Sequence, residues 1–182
     1  MRLFIGIPLA ATVIEELSSI TGRLKSGEDG LRWSSPDSWH ITLQFLGNTS
    51  AEQYNCLVPR MRALQLPRFS IRLEGLGFFD SAGIFFAGVR LSPQLLALQE
   101  HVVSATTPCA FVPELRPFHP HITLARSKGQ DRRQLLRRLT TRIHPEPDFT
   151  TFVSTEFLLY EAFLGAPASR YEVRERFPLA GN

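Results

Sequence analysis

The chain has 182 residues, of which 43% are hydrophobic, and it carries a formal net charge of +3. This length suits one domain or two closely fused lobes, and the hydrophobic content is enough to fill a core. No stretch approaches the roughly 20 consecutive apolar residues of a membrane-spanning helix, so the sequence predicts no membrane partner. The mild positive charge permits a polyanionic partner without requiring one.

The amino terminus and the two cysteines bear on where the protein works. Residues 3–14 are apolar and resemble a signal peptide, but Pro8 and the early acidic Glu15 argue against cleavage there. Cys56 and Cys109 match no zinc-binding or redox spacing, so we expect buried thiols in a reducing compartment. These features predict a cytoplasmic protein, and we expect it to be a monomer.

Hydrophobic periodicity predicts alternating strands and helices along the chain. In chain order the predicted elements are strand 2–8, helix 11–25, strand 31–35, strand 39–46, helix 50–64, strands 69–77 and 82–90, helix 92–106, strand 119–125, helix 130–142, and strands 150–161 and 170–178. Several neighbouring strands are close enough in sequence for hairpin connections. This favours an α+β fold with antiparallel or mixed sheets over a doubly wound parallel sheet.

Local sequence signals support the helices. The helix 50–64 begins at Thr49 and Ser50, each of which has a Glu or Gln three residues later, as in a capping box. Pro59 falls inside this helix and should kink or shorten it. The helix 92–106 follows the capping residue Ser92. The first helix has an apolar stripe that would face a core: Val13, Leu17, Ile20 and Leu24.

The most informative feature is a four-residue motif, His-Ile-Thr-Leu, that occurs at residues 40–43 and again at 121–124. Side chains alternate along a strand, so the histidine and threonine of each copy share one face while the two apolar residues take the other. The apolar pair can anchor each strand in a core. The imidazole and hydroxyl of each copy would then point together into a shared space.

The surroundings of the two motifs also match. Phe4 and Gly6, two positions apart, lie upstream of the first copy. Phe86 and Gly88, also two positions apart, lie upstream of the second. A predicted helix separates this upstream strand from the histidine strand in both copies. We interpret the chain as a duplicated unit whose halves face each other with one histidine from each at the seam. Two copies are too few for a solenoid, which needs at least three repeats.

Two imidazoles and two hydroxyls facing one cleft are suited to moving protons around a phosphate. Unperturbed imidazole titrates near pH 6.5, so His40 and His121 can be one neutral and one charged near neutral pH. Thr42 and Thr123 would donate hydrogen bonds to phosphate oxygens. Arg126, just after the second motif, would clamp phosphate with its planar guanidinium. Both motifs are intact, which favours function over a relic of the duplication.

Two neighbouring groups have alternative interpretations. His119 shares a strand face with His121, and these two with His40 could ligate a metal ion. No Asp, Glu or Cys lies at companion spacing, so we expect no metal site and no cofactor. The basic segment 131–138 is either a solvated helix face or a guide for a nucleic-acid backbone.

The segments 2–9, 39–47 and 117–126 resemble the 2H phosphoesterase superfamily, which paired His-x-Thr-hydrophobic motifs define. Within that superfamily they are similar to the bacterial RNA 2′,3′-cyclic phosphodiesterases, also known as the 2′-5′ RNA ligase-like family. The resemblance covers nearly the whole chain. It implies a single domain, residues 1–182, made of two pseudo-symmetric lobes. Each lobe would be an antiparallel sheet with outer helices, and the lobes would flank a central V-shaped cleft.

The same resemblance implies an enzyme that hydrolyses the 2′,3′-cyclic phosphate of RNA ends or nucleotides to a 2′-phosphomonoester without a metal ion. It implies that His40 is the proton donor and His121 the proton acceptor, and that the protein can join RNA ends through a 2′-5′ linkage in vitro. Two alternatives stay open. One is a binding module that holds a nucleotide or RNA end without turnover, and the other is a metal-dependent phosphohydrolase that uses His119 and His121.

Overall fold

The computed structural model describes residues 1–26, 30–127, 138–139, 142, 147–163, 165 and 169–180. The predicted basic helix 130–142 lies almost entirely outside these residues and stays a prediction. The strands are β1 (Arg2–Pro8), β2 (Leu31–Trp33), β3 (His40–Asn48), β4 (Phe69–Ile71), β5 (Leu73–Phe79), β6 (Ile84–Val89), β7 (His121–Ser127), β8 (Phe152–Ser154), β9 (Glu156–Phe163) and β10 (Arg170–Pro178). The helices are α1 (Ala11–Leu24), α2 (Ala51–Arg62) and α3 (Pro93–Thr106).

Two of the predicted strands are each divided in two. The predicted strand 69–77 is β4 and β5, and the predicted strand 150–161 is β8 and β9. The short strands β4 and β8 pair with each other in a separate two-stranded sheet, which explains the interruptions. The helix α2 ends at Arg62, three residues after Pro59, and is therefore shorter than the sequence pattern alone suggested.

The remaining strands form two four-stranded sheets with the orders β10-β9-β1-β3 and β2-β7-β6-β5. Every strand pairing in them is antiparallel. One histidine strand lies in each sheet, as the duplication predicts, and the α+β prediction is confirmed. The edge strand β2 belongs to the first half of the chain in sequence, yet it pairs with β7 of the second sheet.

The helices pack on one face of the sheets and form the core with them. The stripe residues of α1 are buried, as are Leu95, Leu98 and Val102 of α3. Ser50 and Gln53 form the predicted capping box, and the Ser92 hydroxyl accepts a hydrogen bond from the Leu95 backbone at 3.2 Å. No helix among the described residues has the length and apolar character needed to cross a membrane.

The expectation of free thiols is wrong, because Cys56 and Cys109 form a disulfide with their Cα atoms 5.7 Å apart. Cys56 lies on α2 and Cys109 lies in a short 3₁₀ turn that follows α3. The two residues are 53 positions apart in sequence, and spacing alone does not show that tertiary packing brings them together. The bond joins α2, which follows the first histidine strand, to the turn after α3 in the second half. Because neither cysteine is a free thiol, the cysteines no longer argue for a reducing compartment.

Candidate active site

The two histidines begin equivalent strands. His40 is the first residue of β3 and His121 is the first residue of β7, and the first six positions of both strands show the same order of buried and exposed side chains. The isoleucine and leucine of each motif are buried, at 3% exposed or less. The histidine and threonine of each motif are half-buried on the opposite face. The alternation predicted from the sequence therefore holds over both motifs.

A β-bulge then interrupts the alternation at the same place in both strands. In β3, Leu43 has no partner on β1, and in β7, Leu124 has no partner on β6. A second register shift further along β3 leaves Leu46 without a partner on β1 as well. A bulge inserts one extra residue and so reverses which side chains face the core beyond it. As a result Phe45 and Arg126, each five residues after its histidine, lie exposed on the histidine face.

A backbone carbonyl orients each imidazole. The Nδ1 atom of His40 lies 2.8 Å from the Ser38 carbonyl oxygen, and the Nδ1 atom of His121 lies 2.8 Å from the His119 carbonyl oxygen. A carbonyl can only accept, so Nδ1 carries the hydrogen and donates it in both rings. Nε2 is therefore the atom that takes a proton when the ring is neutral and gives one when it is charged.

His40 lies in an aromatic cluster. Its ring centroid is 4.6 Å from Phe4, 5.5 Å from Tyr160 and 5.3 Å from the edge-on ring of Tyr171. A Cβ atom at Gly6 would lie 2.9 Å from the Ile41 carbonyl oxygen and 3.3 Å from His40 Cδ2, so glycine allows the close approach of both. Burial lowers the pKa of His40 to about 4, against the raising effect of its hydrogen bond to the Ser38 carbonyl. The ring is therefore neutral in the free protein near neutral pH.

His121 lies beside two phenylalanine rings, a second imidazole and a nearby positive charge. Phe79 lies edge-on at 4.9 Å between ring centroids, Phe86 lies at 5.6 Å, and the His119 ring lies at 6.4 Å. Burial lowers the pKa of His121, and the charges of His119 and Arg126 lower it further, while the hydrogen bond to the His119 carbonyl raises it. His121 is thus also neutral in the free protein near neutral pH.

The two imidazoles lie within electrostatic reach of each other. The charge of His121 is one of the causes that lower the pKa of His40, and the strands β3 and β7 approach each other although they belong to different sheets. The predicted group of two histidines, two threonines and Arg126 is therefore distributed over two neighbouring strand faces. Among the residues that the model describes, no three His, Cys, Asp or Glu side chains are grouped to hold a metal ion.

Sequence reasoning missed the aromatic residues that surround the histidines. Tyr160 and Tyr171 lie on β9 and β10, which return from the end of the chain to pair beside β1. Phe79 comes from β5, the hairpin partner of β6. It also missed Arg32, which pairs directly opposite Arg126. Strand alternation shows which of these residues share a face within one strand, but only the sheet order shows which histidine they meet.

Comparisons with known proteins point to one family. A family model described as the 2′-5′ RNA ligase superfamily matches residues 9–161. The RNA 2′,3′-cyclic phosphodiesterase of Escherichia coli K12 is 30% identical over 98% of this chain and 96% of its own length. The protein of the same name from Geobacillus stearothermophilus is 31% identical over 98% of this chain, which spans 57% of that relative's length.

The solved structures of relatives have the same fold. The structure of E. coli LigT complexed with 3′-AMP matches with a TM-score of 0.80 and 27% identity, covering 98% of this chain and 97% of that one. A protein of Thermus thermophilus matches with a TM-score of 0.81 and 26% identity, covering 100% of this chain and 99% of that one. Both matches extend over both sheets and both histidine strands.

Proposed function

Because the chain belongs to the 2′-5′ RNA ligase superfamily, we propose that it hydrolyses the 2′,3′-cyclic phosphate of RNA ends or nucleotides to a 2′-phosphomonoester. The reaction needs no metal ion in this proposal. The observation that carries it is the matched pair of imidazoles, each held by its Nδ1 atom on a backbone carbonyl so that Nε2 is free to transfer a proton. Phosphate binding alone would be served better by arginine or lysine than by two histidines.

His121 and His40 would divide the two proton transfers between them. Nε2 of His121 accepts a proton from water as the water oxygen forms a bond to phosphorus. Nε2 of His40 gives its proton to the ribose O3′ as the bond between phosphorus and O3′ breaks, which leaves the phosphate on O2′. Each transfer of this kind typically contributes about 10²- to 10⁴-fold to the rate. If an RNA 5′-hydroxyl reacts at the same centre, the pair would also support 2′-5′ ligation.

His40 must be protonated for this role, although burial keeps it neutral in the free protein near neutral pH. A cyclic phosphodiester is an anion, and an anion beside an imidazole raises its pKa. Substrate binding would therefore bring a proton to His40. The charge of His121 lowers the pKa of His40, so a proton on His121 disfavours a proton on His40.

The phosphate would be held by groups on the same two strand faces. The Thr42 and Thr123 hydroxyls lie beside their histidines, where they can donate to the non-bridging oxygens. Arg126 contributes a positive charge near His121, since that charge lowers the pKa of His121. These donors would stabilise the charge that develops on the phosphate oxygens in the transition state.

The decisive experiment is to incubate the purified protein with a nucleoside 2′,3′-cyclic phosphate in a strong chelator and to identify the product by chromatography. We expect the 2′-phosphomonoester at an undiminished rate. Loss of activity that a divalent metal ion restores would support a metal-dependent phosphohydrolase using His119 and His121. Tight binding without turnover would support a binding module for nucleotides or RNA ends.

A further inference from the structure

Two arginines face each other across the edge of the second sheet. In the pairing of β2 with β7, Arg32 lies directly opposite Arg126. Residues directly opposite in an antiparallel pair project from the same face with their Cβ atoms about 4.5–5.5 Å apart. Both side chains are exposed. Within the part of the chain that the model describes, neither guanidinium has an ion-pair partner.

Protein stability alone does not account for this arrangement. Like charges directly opposite each other destabilise a strand pair. An edge strand benefits from a charged residue that discourages pairing with other chains, but Lys or Glu at position 32 would serve that purpose equally well. Two guanidinium groups carried by directly opposite residues can match the oxygens of a phosphate, which each binds through paired N–H donors. The pair therefore indicates a site for an anion.

The position of the pair relates it to the catalytic centre. The bulge at Leu124 turns Arg126 to the same face as His121. Arg32, opposite Arg126 on the neighbouring strand β2, projects from that face as well. Arg126 is five positions after His121, so their Cα atoms are roughly 15 Å apart along the strand, but the charge of Arg126 still acts on His121. Arg32 lies on the edge strand beyond Arg126 and is not among the charges that act on His121, so it is left for a second anion.

We propose that Arg32 and Arg126 form a second phosphate subsite, which binds the phosphodiester on the 5′ side of the terminal nucleotide. The protein then prefers an RNA end to a free nucleoside 2′,3′-cyclic phosphate. This inference rests on the proposed hydrolysis and specifies its substrate: a chain end with at least two phosphates. Arg126 reaches both phosphates, whereas Arg32 contacts only the second.

Three substrates test the subsite: adenosine 2′,3′-cyclic phosphate, its 5′-phosphorylated form, and the dinucleotide ApA ending in a 2′,3′-cyclic phosphate. We expect kcat/KM for the dinucleotide to exceed that for the nucleoside by about tenfold or more, as one charge-assisted phosphate contact allows. A similar gain for the 5′-phosphorylated nucleoside is expected, because it carries the same second phosphate. A gain for that substrate without a gain for the dinucleotide would overturn the preference for RNA ends.

The variant Arg32→Gln distinguishes binding at the second subsite from binding of the reacting phosphate. It should remove most of the advantage of the dinucleotide and change hydrolysis of the nucleoside less than about threefold. The slope of log kcat/KM against log salt for the dinucleotide should become shallower by about 0.7, as for one lost single-strand phosphate contact. Arg60→Gln on the exposed side of α2 removes the same charge away from the cleft and is the matched control.

The melting temperature shows whether Arg32→Gln acts only by destabilising the fold. Because the substitution relieves repulsion between two arginines, Arg32→Gln should melt at the same temperature as the wild type or higher. Equal use of the nucleoside and the dinucleotide by the wild type would overturn the subsite while leaving the proposed hydrolysis intact. Equal losses on both substrates in Arg32→Gln would also overturn it. If neither substrate is hydrolysed, the proposed function fails, and the subsite is then judged by whether ApA 2′-phosphate binds more tightly than adenosine 2′-phosphate.

Discussion

The two halves of the molecule hold the same histidine in the same way but surround it differently. In both, Nδ1 donates to the carbonyl two residues upstream, and a bulge turns the fifth residue onto the histidine face. Around His40 the neighbours are the aromatic rings of Phe4, Tyr160 and Tyr171. Around His121 they are the rings of Phe79 and Phe86, the His119 ring and the charge of Arg126.

This difference suits a substrate whose two ends are chemically unlike. Phe45 in the first half and Arg126 in the second occupy the same place in their strands, yet one is aromatic and the other is cationic. An RNA end presents a base with an apolar face and a backbone with negative charge. Duplication therefore accounts for the paired imidazoles, and under the proposed function their different neighbours would set the direction in which a substrate lies.

The equivalence of the two histidines predicts the largest effects. His40→Ala and His121→Ala should each lower kcat at least about 100-fold, because each removes one proton transfer. The double variant should lose little more than either single variant, since residues that act as a unit are not additive. Steady-state rates with a nucleoside 2′,3′-cyclic phosphate measure this, and His101→Ala on the exposed side of α3 is the control. A folded single variant that keeps most of its activity would contradict the paired mechanism.

The different burial of the two rings predicts a pH profile. In the proposed mechanism the free enzyme is productive with His40 protonated and His121 neutral, but burial lowers the pKa of His40 to about 4 and the pKa of His121 below its usual value. The profile of kcat/KM, which reports the free enzyme, should therefore peak on the acid side of pH 6.5 and fall about tenfold per unit at higher pH. The profile of kcat should peak at higher pH, because the bound anion raises both pKa values. A kcat/KM maximum at pH 7 or above would remove His40 as the acid.

Much of this comparison was predictable from the sequence. The repeated motif with its flanking Phe and Gly residues predicts the duplication, and alternation predicts that His40 and Thr42 share a face. These features depend on neighbouring residues in one strand. The predicted stripe of α1 is buried for the same local reason.

The remaining features depend on contacts between distant segments. The bulge at Leu43 exists only relative to β1, and alternation alone would have placed Gln44 rather than Phe45 on the histidine face. The low pKa of His40 depends on burial beside rings such as Tyr160, which comes from the far end of the chain. The disulfide depends on the packing of α2 against the turn after α3. None of these contacts leaves a periodic pattern in the sequence.

The aromatic character of the first half predicts a moderate effect on substrate binding. Phe45 is 72% exposed and its ring centroid lies 6.1 Å from that of Phe4, so it is available to stack on a base or ribose. Base stacking on an aromatic side chain is typically worth about 1–3 kcal/mol, so Phe45→Ala should raise KM about tenfold and leave kcat nearly unchanged. The control is Val153→Ala, which trims another exposed apolar side chain on β8. A fall in kcat with unchanged KM would contradict a binding role.

Loss of the disulfide between the two halves is predicted to have the smallest effect on activity. The disulfide joins Cys56 on α2 to Cys109 beyond α3, on the helical side of the sheets, whereas the histidines lie on the opposite face. Native disulfides typically contribute about 2–4 kcal/mol to the free energy of unfolding, mainly by restricting the unfolded chain. For a chain of this size that is roughly 5–15 °C in melting temperature.

The paired variant Cys56→Ser with Cys109→Ser should therefore melt at a lower temperature than the oxidised wild type but keep kcat within about twofold, because unfolded-state entropy does not enter the chemical step. Thiol titration of the denatured protein, with and without prior reduction, should show two cysteines only after reduction. Treatment of the wild type with a reductant should reproduce the lower melting temperature. Two free thiols in the unreduced protein would restore the argument for a reducing compartment. A large loss of kcat in the paired variant would show that the relative placement of the two histidine strands depends on this bond.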